Sequence, residues 1–190
     1  MNNSIGEYIE KLCAKQGQSQ SAVARAINVP RQSLSYVICG KRELSLQLAM
    51  KLEAFFSLQD GELMQMQARQ AVMARKRSIK EALCSKLVEK NAFWSYDVKS
   101  ANEIPDEEII EKSFIVLDME DIDLMFEIYP RKQILKVWRE RMAIQGEYMK
   151  MLNIMIAMYY FGIQQPEKYL ARIEREHINR LLRNATGFDN

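Results

Sequence analysis

The chain has 190 residues, 48% of them hydrophobic, with seven Gly and four Pro; that length suits one domain or two small ones, and so few breakers exclude disorder over most of it. The formal net charge is +2, but residues 1–80 carry 12 Lys and Arg against 6 Asp and Glu, and the remainder 15 against 19. A front at +6 and a back at −4 point to a polyanion partner for one part and a different partner for the other.

Helix formers fill most windows, and no stretch alternates with period two for long enough to argue a sheet. Ile5, Tyr8, Ile9 and Leu12 share a face of a first helix over 5–16, ended by Gln-Gly-Gln. Ser19 suits the N-cap of a second helix through Ile27. Asn28 falls where a left-handed residue closes a helix. Pro30 or Arg31 opens a third, because a proline in the first turn lacks an N–H that would be unpaired there anyway. Gly40 stops it. Ser45 caps a fourth, with Leu48, Leu52, Phe55 and Phe56 inward, and Asp60 opens a fifth that runs into MARKRSIK (73–80), read as a helical connector or domain seam.

The back half continues with a separate helix at 78–91, then an aromatic packed loop at 92–103. Pro105 begins a helix with three acids in its first turn, which complement the helix dipole. Residues 118–129 carry Ile122, Met125, Phe126 and Tyr129 at helical spacing, and a basic helix opens at Pro130 with Ile134, Leu135 and Trp138 inward. The segment 146–162 is apolar nearly all round, as a buried central helix is. A last helix starts at Pro166. The fold expected is all-α: a five-helix domain at 1–78 and a second small helical domain at 79–190.

Residues 19–42 meet the demands of a helix-turn-helix unit. The first helix needs a small residue where the second crosses it, and Ala24 fits. The turn needs a residue tolerant of positive φ and then an apolar plug, which Asn28 and Val29 supply. The second helix needs two buried anchors one turn apart, and Leu34 and Val37 serve, with Ile38 assisting. Its other side chains are polar. The N-terminal end of such a helix enters the major groove of DNA, where Arg31 can donate twice to guanine and Gln32 can pair with adenine. Ser33, Ser35 and Tyr36 complete the reading helix. Gln20 at the start of the preceding helix, and Lys41 and Arg42 past the glycine, are placed to meet phosphates. A solvated polar helix explains each residue singly but not the whole spacing.

SQSAVARAINVPRQSLSYVICGKR resembles, without a gap, the helix-turn-helix of the phage-repressor/Xre family, with the HigA antitoxin branch nearest. That branch has a V-S-R-Q-x-I-x-x-I-L-N-G-K-R run, which here reads VPRQSLSYVICGKR. The resemblance extends over roughly residues 5–72, through ELSLQLAMKLEAFF and ELMQMQAR, and implies a lambda-repressor-like DNA-binding fold. This chain differs in Pro30 for a capping Ser, Cys39 for a frequent Asn, and the bulky Tyr36 on the groove side. Over residues 85–170 the aromatic-Trp-x-x-Asp run at Phe93–Asp97, the acidic block Asp118–Asp123 and Tyr129-Pro130 resemble a small helical domain of bacterial proteins. Those proteins sit beside nucleotidyltransferase-like toxins of the AbiEii kind. The resemblance implies an antitoxin-like repressor of a toxin–antitoxin operon, with double-stranded operator DNA and such a toxin as partners.

From Glu103 to Glu127 there are ten acids and one Lys. That surface either masks a basic enzyme cleft or is a solvated face, and the following basic stripe of Arg131, Lys132, Lys136, Arg139 and Arg141 can simply pair with it. Trp94 and Trp138 are expected in the core. Cys13, Cys39 and Cys84 lack metal-ligand spacing and read as buried small apolar groups. The single histidine, His177, reads as exposed and idle, and Asp121 with Asp123 does not make a metal site, since i,i+2 residues diverge on a helix. No enzyme activity, metal or cofactor is expected. MNNSIGEYIEKLC has no cationic-then-apolar leader, and the run 151–163 falls short of the roughly 20 residues a bilayer requires, so a cytoplasmic protein is expected. A homodimer matches palindromic half-sites. Two other readings stand beside the antitoxin: a plain regulator whose back half only dimerises or senses a ligand, and a toxin-neutralising module without DNA binding.

Overall fold

Hydroxyl caps and left-handed stops set the ends of the first helices. A computed structural model describes residues 4–93 and 104–186, and the chain divides into two units, Met1–Arg75 and Lys76–Asn190. In the first, α1 (Ile5–Lys15), α2 (Gln20–Ala26) and α4 (Leu46–Phe56) each begin where a serine hydroxyl, of Ser4, Ser19 and Ser45, accepts the N–H three residues on. α3 (Arg31–Ile38) begins after Pro30, which has no side-chain oxygen to offer. Asn28 and Gly40 bracket that helix with φ of 53° and 67°, the left-handed conformation these residues adopt at least cost.

The core of this unit is one apolar cluster of Ile9, Val23, Leu34, Leu52 and Leu63, with Ala24 and Ala49 where helices cross. Asp60 does not open α5 (Glu62–Glu89). That task falls to Glu53, buried on α4, whose carboxylate accepts the Gly61 N–H at 2.9 Å and the Leu63 N–H at 2.8 Å. α5 runs through the connector expected at 73–80 and on through the helix expected separately at 78–91, and the division between units falls inside it. No breaker interrupts Glu62–Glu89, so propensity carries the helix across.

In the second unit, α6 (Asp106–Val116), α7 (Met119–Ile128), α8 (Arg131–Val137), α9 (Lys150–Tyr159) and α10 (Pro166–Thr186) enclose a core that includes Leu83, Leu87, Ile109, Ile110, Met125 and Trp138. α8 runs on into a π-helical turn over Trp138–Met142. The buried amide of Asn153 ties that turn down: it accepts the Trp138 indole N–H at 2.8 Å and donates to the Met142 carbonyl at 3.0 Å. Trp138 stacks on Tyr169, and Phe126 on Tyr160, with centroids 6.1 and 5.3 Å apart. Burial pushes the Tyr160 phenol up to about 12 and the Cys84 thiol up to about 11.

Four expectations change here. The segment at 146–162 is not sealed all round: Met151, Met155, Met158 and Tyr159 face outward from α9. Cys39 is exposed, unlike buried Cys13 and Cys84, because it follows α3 at its outer edge. His177 is half-buried and lines a groove between α8 and α10 with Lys136 and Arg180. The acidic block is partly internal: Asp121 is buried and paired with Lys86, Asp106 accepts from Lys80 and the Tyr129 hydroxyl at 2.7 and 2.9 Å, and Glu111 pairs with Arg141 at 3.2 Å. Trp94 and the loop expected at 92–103, from residue 94 onward, lie outside the described residues. Among the described residues no helix is long and apolar enough to cross a membrane, and no group of acids, Cys and His is placed to hold a metal.

Candidate nucleic-acid interface

Two backbone bonds shape the turn between α2 and α3. The Asn28 N–H donates to the Arg25 carbonyl at 3.1 Å and the Val29 N–H to the Ala24 carbonyl at 2.9 Å. Together they satisfy carbonyls that the end of α2 leaves open. Val29 then packs half-buried against the cluster, and the Lys51 ammonium donates to the Asn28 carbonyl at 3.2 Å.

Leu34, Val37 and Ile38 hold α3 down on one side. The opposite side carries Gln32, Tyr36 and Cys39, all exposed, with Arg31 exposed at the first turn and Ser35 half-buried beside them. The Gln32 amide donates to the Tyr36 hydroxyl at 2.7 Å, one helical turn away, so this pair presents itself as a joined polar surface. Ser33 points to the other flank, where with Arg42 and Lys51 it lines a cavity of about 200 Å³ between α3 and α4. Gln20 is half-buried, and its amide donates to Glu10 at 3.1 Å, so an anion at that position must compete with Glu10. Lys41 and Arg42 stand exposed past Gly40. Arg31, Gln32, Ser35 and Tyr36 thus share one side of α3, Lys41 and Arg42 lie beyond its far end, and Ser33 and Gln20 stand apart.

Three supporting residues escaped the sequence reading. Gly6 is one: a Cβ there would lie 1.9 Å from the Ile38 carbonyl oxygen, so α1 can sit against the end of α3 only because residue 6 has no side chain. Gln67 is another. Its amide accepts the Leu44 N–H at 2.7 Å and donates to the Leu44 carbonyl at 3.1 Å, which pins the strand of chain that carries Lys41 and Arg42. The third is Glu53. Its signal was present, an acid among Ala49, Leu52 and Phe56 on the apolar side of α4. Gly6 and Gln67 had none, since neither breaks the local pattern.

α1 joins this frame through its own polar contacts. The Tyr8 hydroxyl donates to Glu62 at 2.7 Å, and that bond, with burial and the carboxylate charge, raises the phenol above its usual value. The Gln70 side-chain Oε1 accepts the Ile5 N–H at 3.1 Å.

No curated protein and no solved structure matches the chain. Residues 9–63 match the family model described as Helix-turn-helix, a span that holds α2, α3 and α4 entire and ends before the second unit. The match and the geometry agree on the same elements: residues 9–63 form a helix-turn-helix domain of the Xre type, and such a domain points to a DNA-binding transcriptional regulator.

Proposed function

We propose that the protein is a transcriptional repressor of the cytoplasm that reads a two-fold operator as a homodimer, with the second unit as a protein-docking module. One observation carries this reading: Arg31, Gln32 and Tyr36 project from a helix whose other side is anchored by Leu34, Val37 and Ile38. Arg31 and Gln32, at the N-terminal end, read base edges. Tyr36 and Ser35 follow along the groove, Lys41 and Arg42 neutralise flanking phosphates, and the Gln20 amide donates to another once it leaves Glu10. Selection of duplexes from a random pool tests this. Arg31→Ala is expected to weaken binding to the selected duplex by about 1–3 kcal/mol and to relax base choice at one position. An unchanged consensus removes Arg31 from the readout.

The operon-level reading is an antitoxin-like repressor whose second unit neutralises a nucleotidyltransferase-like toxin. Its support is the resemblance of residues 5–72 and 85–170, together with the exposed acids Glu107, Glu120 and Asp123 on α6 and α7, which suit a basic partner. The plainer reading, a regulator whose second unit only dimerises or senses a ligand, draws support from the internal pairing of Asp106, Glu111 and Asp121. Co-expression with the product of the adjacent open reading frame separates them. A stoichiometric complex, lost when Glu107, Glu120 and Asp123 are changed to Lys, favours the antitoxin; no complex favours the plain regulator.

A further inference from the structure

The run from Met151 to Pro166 contains no charged side chain, yet α9 buries only one of its sides. Asn153, Ile156 and Ala157 are sealed in the second unit. On the outer side Met151, Met155, Met158 and Tyr159 recur at helical spacing and are 77%, 43%, 56% and 61% exposed, and Tyr148, on the 3-10 turn that leads into the helix, is 91% exposed. Five large apolar side chains in one stripe are more than the scattered exposure normal to a protein surface, and a contiguous patch of this kind marks a contact.

We propose that this stripe is the contact between two copies of the chain, with α9 lying antiparallel to the second copy's α9 across a two-fold axis. The inference rests on the homodimer reading above and names its surface. Charge is the first reason for choosing a second copy as the occupant. Beyond Glu147 and Lys150, which pair with each other at 2.8 Å beside Tyr148, the face carries no ionic group and offers little to an acidic or basic partner, whereas an isologous contact requires a surface that tolerates itself, and a neutral one meets no like-charge repulsion. Register is the second. With the axis passing beside Asn153, Met151 meets the second copy's Met155, and Tyr148 meets the second copy's Met158. Thioether–ring contacts of that kind are favourable and forgiving of small misfits. Area is the third. At about 200 Å² for each fully exposed side chain of this size, the stripe leaves on the order of 650 Å² per copy, roughly 1,300 Å² in all, inside the range of specific, stable interfaces.

Sedimentation equilibrium on the full chain tests the proposal. The wild type is expected to reach twice the monomer mass of 22.2 kDa. Met151→Glu and Met155→Glu each press an unpaired carboxylate against a methionine of the second copy and are expected to weaken the dimer by at least about 100-fold, with helical content unchanged by circular dichroism. A second measurement needs no charge in the interface. In a Cys39→Ser background, Met151→Cys with Met155→Cys is expected to join two copies through a 151–155 disulfide under a copper–phenanthroline oxidant, identified by peptide mass. A wild type that stays monomeric overturns both the homodimer reading and its surface. A dimer that withstands both Glu substitutions and forms no such disulfide overturns the surface alone, as does indefinite association. Arg31-dependent duplex binding, measured on the same preparations, reports separately on DNA recognition.

Discussion

The two units leave different chemistry on their surfaces once their cores are made. In the first, α3 ends with Arg31 exposed at one end and Lys41 and Arg42 beyond the other, cations that no internal acid claims. In the second, the conspicuous acids Asp106, Glu111 and Asp121 are taken up by Lys80, Arg141 and Lys86, and what remains outside on α9 is methionine and tyrosine. The lesson is that a charge run in a sequence identifies a partner only after internal pairs are subtracted. The first unit's leftover suits phosphates; the second unit leaves an apolar stripe on α9 and exposed acids such as Glu107, Glu120 and Asp123 on α6 and α7.

The largest expected effect tests whether the two cores are separate. Trp138 is fully buried, and its indole N–H holds the Asn153 amide at 2.8 Å. Trp138→Ala is expected to cost the second unit about 3–5 kcal/mol, read as lost amide-exchange protection at Ile110 and Met125 with protection at Ile9, Leu34 and Leu52 unchanged. Loss in both units together would break the comparison, because the two cores would then be one cooperative system.

Next comes the support of the reading helix. Gly6→Ala forces a methyl into the Ile38 carbonyl, and backbone cannot yield as a flexible side chain does. A cost of about 1–3 kcal/mol to the first unit is expected, seen in denaturant melts followed by exchange at Leu34, with a matching loss of duplex affinity. A neutral outcome would mean that α1 and the end of α3 have more freedom than their contact implies.

The smallest effect sharpens the idea of leftover charge. Lys41→Ala and Arg42→Ala are each expected to weaken binding evenly across duplex sequences and to reduce the slope of log affinity against log salt by about 0.9. A change in base preference instead would make either residue a reader of sequence rather than of phosphate.

Much of the first unit was legible in the sequence because its signals are local. Ser19 and Ser45 as caps, Asn28 and Gly40 as left-handed stops, and Leu34 with Val37 as anchors each act within a turn or two of chain, and the caps and stops follow from backbone chemistry there. The polar face of α3 followed from the same periodicity. Tertiary structure decided the rest. It decided that Glu53 caps α5 in place of Asp60, that Gly6 must be bare beneath Ile38, and that Gln67 pins Leu44, since each of these joins elements that are not neighbours along the chain. It also decided which side of α9 faces out: methionines recur on one side and Ile156 and Ala157 lie on the other, so apolar character does not choose between the sides and the neighbours select the buried one.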